Sequence, residues 1–460
     1  MTTWRALVAA LVLAMSGPPA LAGMTVMGPP ANQDALGAAA DDVDEDAEEG
    51  EGAYEIPAEF DYARCLDAAT GPDVAIALCT RAIESGELSD EAIVRALARR
   101  GHHFVETDRP ARALRDLDQA LALGEATADA LVVRGRARLA AGNGAGARAD
   151  LDRAVELAPQ DATAYVVRGA MRAAAGDGEG ALGDFTDAIA RAPDDPRGWL
   201  GRANTLAAAG QHVGAIADFD VAIARDAGLV AARYNRGGAF LALGRFDEAI
   251  ADYDAVLELA PGHAAAHNNR GLALAAAGRA DEAMADFGAA ARLDPRNPDP
   301  LVNRARLHLE AGDVERAQGD LTRALAFAPD VSATYAVRAE ARRMAGDLDG
   351  AFADYQSALR LDDNSAEAHN GLAWLHATAR AKRHRDGLAA IDHALRAVAL
   401  SDRPYIRDTL AAAYAEAKRW REAIAESEAA VAAARAEGAA VVATLEEHLR
   451  QFRNRRPWRE

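Results

Sequence analysis

From about residue 94 to residue 365, small and large apolar side chains return in one order every 34 residues. Numbering each unit so that Gly237 and Gly271 fall at position 8, that position holds Gly101, Gly135, Gly169, Ala203, Gly237, Gly271, Ala305 and Ala339. Position 20 is alanine throughout, from Ala113 to Ala351. Position 24 is large: Leu117, Leu151, Phe185, Phe219, Tyr253, Phe287, Leu321 and Tyr355. Within a unit the apolar residues fall three and four apart, the spacing of a helix with one buried face. Glycines recur at position 15, from Gly142 to Gly346, where a left-handed residue ends a helix. Pro159, Pro193, Pro261, Pro295 and Pro329 close units at position 32. Each unit therefore predicts two antiparallel helices whose small residues admit a close approach and whose position-24 residue fills the remaining gap.

This pattern resembles the tetratricopeptide repeat, which implies an all-α, right-handed superhelical solenoid of about eleven helix pairs with a capping helix at its C-terminal end. The expected organisation is a signal peptide at 1–22, a disordered acidic linker at 23–55 and a capping repeat at 56–93. Eight regular units follow at 94–365, then two divergent units at 366–437, then a capping helix and basic tail at 438–460. From about Ala366 onward a narrower resemblance appears. Leu372–Trp374, Ala377-Thr378, Arg385–Gly387 and Asp408–Ala411 look like a C-terminal module of many bacterial repeat proteins. That module implies no chemistry, only an end-piece with a basic rim at Arg453, Arg455, Arg456 and Arg459.

Charge and composition address where the chain works. Arg5, the apolar run Ala6–Met15 and Ala20-Leu21-Ala22 form a secretory signal pattern, too short to span a membrane; an uncleaved anchor is the alternative. The address expected is exported, and periplasmic in a Gram-negative source. The acidic block at 41–51 belongs to a linker that is either a spacer or a lure for a basic partner. A net charge of −20 argues against nucleic-acid binding. The two cysteines, Cys65 and Cys79, face each other across the first hairpin, as a disulfide in an oxidising compartment or as two buried thiols.

One feature exceeds what the fold demands. Position 7 is Arg100, Arg134, Arg168, Arg202, Arg236, Arg270, Arg304 and Arg338, where the family more often has leucine. Position 23 is Asp116, Asp150, Asp184, Asp218, Asp252, Asp286, Asp320 and Asp354. These residues are expected to pair as guanidinium forks on carboxylates, each arginine reaching the aspartate of the preceding unit. An anion-binding ladder is the alternative, weakened because every unit carries its own carboxylate.

The resemblance also implies a concave groove lined by first helices through positions 2, 5, 6, 9, 12 and 13. Asn204, Tyr234, Asn235, Asn268, Asn269, Asn303, Arg306, Glu340, Asn370 and Trp374 fall there. Asparagines on successive units could hold the amides of an extended peptide; equally, Asn-Arg-Gly could be simply how these units write their first helix. The histidines show no ligand spacing, and no phosphate loop or nucleophile elbow occurs, so neither a metal, a cofactor nor catalysis is expected. The function expected is a non-catalytic exported scaffold holding a protein or peptide in its groove or assembling an envelope complex. The alternative is a non-catalytic subunit of a cell-wall or surface-polysaccharide enzyme complex, docked through the C-terminal rim.

Overall fold

A computed structural model describes residues 58–439 and 441–460. The signal, the acidic linker and the first two residues of the capping repeat lie outside the described residues. The described chain forms two compact units that divide after Ala239. The first holds α1 (Ala58–Leu66), α2 (Pro72–Glu84), α3 (Asp90–Glu106), α4 (Pro110–Leu123), α5 (Ala128–Ala140) and α6 (Gly144–Leu157). It continues with α7 (Ala162–Ala174), α8 (Gly178–Arg191), α9 (Pro196–Ala208), α10 (His212–Arg225) and most of α11 (Val230–Ala242), the helix in which the division falls. The second holds α12 (Phe246–Leu259), α13 (Ala264–Ala276), α14 (Ala280–Leu293), α15 (Asp299–Glu310), α16 (Val314–Phe327), α17 (Ser332–Met344) and α18 (Leu348–Leu361). After α19 (Ala366–Thr378) comes a short turn of 3-10 helix at Lys382–His384, then α20 (Gly387–Leu400), α21 (Pro404–Glu416), α22 (Trp420–Ala436) and α23 (Val442–Arg453). The fold is an all-α tetratricopeptide-type solenoid, and no strand occurs among the described residues.

Each regular pair closes through a three-residue turn whose middle residue is position 15. Gly142, Gly176, Gly210, Gly278, Gly312 and Gly346 take φ between 74 and 84 there. In the turn after α5, Asn143 N–H donates back to the Arg138 carbonyl at 2.8 Å, so a left-handed residue closes the helix. Asn143, Asp177, Asp313 and Asp347 then accept from the amide three residues on and start the second helix. One turn thus ends one helix and begins the next.

The core lies between the helices of each pair and between neighbouring pairs. Ala147, Ala181, Ala283 and Ala317 at position 20 are fully buried, as are Leu151, Phe219, Phe287 and Leu321 at position 24. Position 8 must stay small for a visible reason: a Cβ on Gly271 would stand 2.7 Å from the Phe287 ring. Position 6 meets the preceding unit instead. A Cβ on Gly201 would stand 2.2 Å from Phe185, and one on Gly371 2.1 Å from Tyr355. That packing bears directly on the groove.

Candidate functional site

The arginine at position 7 grips the aspartate at position 23 of its own unit. Arg134 donates from Nε and Nη2 to Asp150 at 2.9 and 2.7 Å, and Arg304 does the same to Asp320 at 2.7 and 2.7 Å. Arg100–Asp116, Arg168–Asp184, Arg202–Asp218, Arg270–Asp286 and Arg338–Asp354 repeat the fork. The carboxylates are buried, Asp184 only 2% exposed and Asp320 6%. Hydrogen bonding to Asp286 raises the Arg270 guanidinium's pKa, against burial. The expected reach to the preceding unit's position 23 is therefore corrected. The two helices of one unit pack most closely, which puts position 23 beside the first-helix stripe at positions 4, 7 and 11.

The preceding unit is reached by the remaining nitrogen, and at position 25. Arg134 Nη1 bonds Asp118 at 2.8 Å, Arg168 Nη1 bonds Asp152 at 2.8 Å, Arg236 Nη1 bonds Asp220 at 2.5 Å and Arg270 Nη1 bonds Asp254 at 2.6 Å. Arg202 finds Thr186 there, and Arg100 finds Thr80. A second arginine, at position 11, shares the same aspartate in three units: Arg138 with Asp150, Arg172 with Asp184 and Arg342 with Asp354. The recurrence of acid at position 25 and of arginine at 11 was readable in the sequence and pointed to both contacts. With every carboxylate so occupied, the ladder is a set of internal clamps rather than a row of open anion sites.

The asparagines behave differently from a free amide ladder. Asn269 and Asn303 are buried, 3% and 5% exposed, so they do not line an open groove as expected. Both stand at position 6, which packs on the preceding unit. The side chains also bond one another. Asn235 Nδ2 donates to Asn204 Oδ1 at 2.8 Å, Asn303 Nδ2 to Asn268 Oδ1 at 3.1 Å, and Asn268 Nδ2 to Asn269 Oδ1 at 3.2 Å. They stitch neighbouring first helices together. Tyr234 is half-buried on α11. Asn370 is half-buried, with Oδ1 enclosed and without a partner. Arg306 is half-buried at position 9 and forms no ion pair among the described residues; burial lowers its pKa.

Trp374 is already engaged. After α23 the chain turns at Arg455, with φ 54, and residues 457–460 run back across the C-terminal end of α19. Trp374 Nε1 donates to Glu460 Oε2 at 2.6 Å, and Arg343 binds the other oxygen of that carboxylate. The Glu460 amide donates to the Thr378 carbonyl at 3.1 Å, and Arg459 donates to the Ala377 carbonyl at 3.0 Å. These carbonyls belong to the last turn of α19, where a helix leaves acceptors unpaired. Arg459 also pairs with Glu416, and the Trp458 ring lies 4.2 Å from His448. Arg343 was missed in the sequence because no spacing connects it to a residue 117 places away.

At the other end, the Cys65 and Cys79 sulfurs stand 2.11 Å apart, joining α1 to α2. Among the described residues no group of three histidine, cysteine or acidic side chains is placed to hold a metal ion. Nor is any described helix long and apolar enough to cross a membrane.

Comparisons with known proteins add the family. Tetratricopeptide repeat profiles match residues 98–162, 172–229 and 231–298, and a second profile of that family matches 274–341. No curated protein matches the chain in sequence. Similar solved structures include yeast Tom70, at 17% identity and TM-score 0.43 over 83% of this chain and 92% of that one. A tetratricopeptide repeat protein of Parabacteroides merdae is 19% identical, with TM-score 0.43 over 53% of this chain and 96% of its own. YrrB, a TPR protein with an unusual peptide-binding site, is 22% identical, with TM-score 0.35 over 39% of this chain and 93% of its own. With those profiles lying over more than half of its length and its helix pairs in a 34-residue register, the chain belongs to the tetratricopeptide repeat family.

Proposed function

We propose that this protein is an exported interaction scaffold that holds an extended polypeptide along the face formed by its first helices. The observation carrying this reading is that positions 9, 12 and 13 of α17 and α19 already hold an extended stretch of chain, residues 459–460, through both its side chains and its main chain. An extended stretch held in this way supports a peptide-binding role for the face, and Arg306, near Glu367 and Glu310 but in no ion pair among the described residues, adds a cation there. The basic rim favours docking less. Arg453 is held by Glu428 and Arg459 by Glu416, which leaves Arg455 and Arg456 as its charges without an ion pair among the described residues.

A photo-crosslinking residue replacing Arg306 in the native cell should capture a polypeptide that the same residue at Arg456 does not. Capture from Arg456 alone would overturn the groove reading in favour of rim docking. Export is supported by the signal pattern at 1–22 and by the pairing of Cys65 with Cys79, since disulfides persist in oxidising compartments. N-terminal sequencing of the mature protein should begin near Gly23; Met1 or Thr2 retained would sink this part. Intact mass with and without reductant, after alkylation, should differ by two alkylated thiols.

A further inference from the structure

Within residues 457–460 only Trp458 does the apolar work of a cap. Apolar cover at this end comes from α23, whose Leu445, Leu449 and Phe452 are buried, and from Trp458 beside them. Glu460 buries nothing comparable, and its side chain remains 43% exposed. What it does make is a complete set of recognition contacts. Its carboxylate lies between the Arg343 guanidinium and the Trp374 indole N–H, while its amide meets the Thr378 carbonyl. One acidic residue is read through its charge and its backbone together.

One of these contacts is shared. Arg343 spends two nitrogens on Glu340, at 2.8 and 2.7 Å, so its charge is largely answered before Glu460 arrives. Tyr355 donates to Glu340 at 3.3 Å and fixes that carboxylate in place. Glu460 therefore adds a second carboxylate to one guanidinium, and the two anions repel. The result is a preorganised subsite whose occupant shares its guanidinium with a second carboxylate.

We propose that Arg343, Trp374 and the Thr378 carbonyl form a subsite for an acidic side chain on an extended peptide, and that Glu460 is an intramolecular occupant which such a partner displaces. This rests on the first-helix face being the binding surface. The chemistry favours a carboxylate over an amide, because Arg343 Nη1 meets no anion but Glu460 among the described residues. A tethered occupant competes at an effective concentration of about millimolar, so the site stays closed to weak acidic peptides and opens to a partner with further contacts along the face.

The test uses the full chain and a fluorescein-labelled peptide of residues 454–460. In an Arg459→Ala/Glu460→Ala variant the tether remains but the side chains that occupy the subsite are gone. The peptide should bind this variant about tenfold more tightly than wild type, the factor expected if Glu460 fills the site about nine-tenths of the time. Adding Arg343→Leu, or ending the peptide in glutamine, should remove the gain. Equal binding by variant and wild type, or indifference to Arg343→Leu, overturns the proposal. Hydrogen exchange on the unsubstituted chain provides a readout that needs no variant. The Glu460 amide should exchange well before the amides of α23; exchange in step with α23 would make the segment a permanent cap and overturn displacement. Partner capture at Arg306 without peptide binding would remove this subsite and leave the scaffold reading standing. Peptide binding without any capture would do the reverse.

Discussion

At position 23 the regular units carry an aspartate under an arginine fork, whereas the two units that follow carry His393 and Glu426. At position 7 those two units have Leu372 and Leu410 in place of arginine. The partner has moved one turn back, to position 4. His369 meets His393 with Nδ1 atoms 2.9 Å apart, and Arg407 reaches Glu426 at 2.9 Å. One regular unit shows both arrangements, since His267 at position 4 lies 2.9 Å from the Asp286 that Arg270 also grips. The backbone thus presents one stripe of the first helix to position 23, and side-chain chemistry decides which residue on that stripe makes the contact. Joints that look different in sequence are one joint differently filled.

The largest test of this comparison removes a fork. Asp320 is held by Arg304 alone among the described residues, because position 4 of its unit is Leu301 and position 11 is His308. Arg304→Leu leaves a buried carboxylate unpaired and should cost about 3 kcal/mol in urea unfolding. Arg304→Leu/Asp320→Leu should recover most of that loss. Arg134→Leu should cost clearly less, because Arg138 still stands 2.7 Å from Asp150. Equal losses at the two sites would mean that sharing by position 11 is without energetic weight.

The second test asks whether both regions obey one packing rule. Gly201→Ala and Gly371→Ala each drive a methyl into a buried ring of the preceding unit, at 2.2 and 2.1 Å. Each should cost about 2 kcal/mol, since neither ring has space to yield. Gly183, on the exposed side of α8 with nothing within 4 Å, serves as the contrast. There alanine should stabilise by about 0.5–1 kcal/mol through helix propensity alone. A harmless Gly371→Ala would separate α19 from the regular register.

Much of this was legible in the sequence because close helix packing leaves a strong trace. Small residues at 8 and 20 and a large one at 24 can be arranged in few other ways, and the left-handed turn at 15 favours glycine. The pairing of Arg304 was not legible at the same level. An arginine at position 7 could reach aspartates in its own or the preceding unit, and only the interhelical distance decides. The asparagines misled for a related reason. Position 6 borders the groove in projection, but Gly201 and Gly371 there lie against the preceding unit's position-24 ring, and Asn269 and Asn303 are buried. The return of residues 457–460 leaves no periodic trace at all.

A third, smaller effect is chemical. It concerns the joint at which His393 meets His369. Burial, reinforced by neighbouring imidazoles, holds the His393 pKa below its ordinary 6.5, and burial does the same for His376. The unfolded chain then binds protons first. Stability is complete above the unfolded value and falls as pH drops through it toward the depressed folded value. Hydrogen exchange at about pH 7.5 and 5.5 should show acid loosening α19 and α20 more than α5 and α6. His393→Asn should flatten that difference; a uniform response along the chain would sink it.

The smallest effect concerns the turns. Position 15 is glycine in seven regular units, but Asp108 and Lys418 occupy the same left-handed conformation at φ 53 and 60. Both close their helices with the same bond, Arg109 N–H to the Phe104 carbonyl at 2.7 Å and Arg419 N–H to the Tyr414 carbonyl at 2.8 Å. Turn geometry is thus kept while the residue that suits it is not. A left-handed residue with a side chain costs about 1–2 kcal/mol, offset in part by the extra unfolded-state freedom glycine would bring, about 0.5–1 kcal/mol. Lys418→Gly should therefore stabilise the chain by about 0.5–1 kcal/mol. Asp108→Gly should gain less, because aspartate tolerates this conformation through local hydrogen bonding. If Lys418→Gly instead destabilises, the lysine side chain is contributing at this turn more than its strained backbone takes away, and the regular and divergent turns are not equivalent.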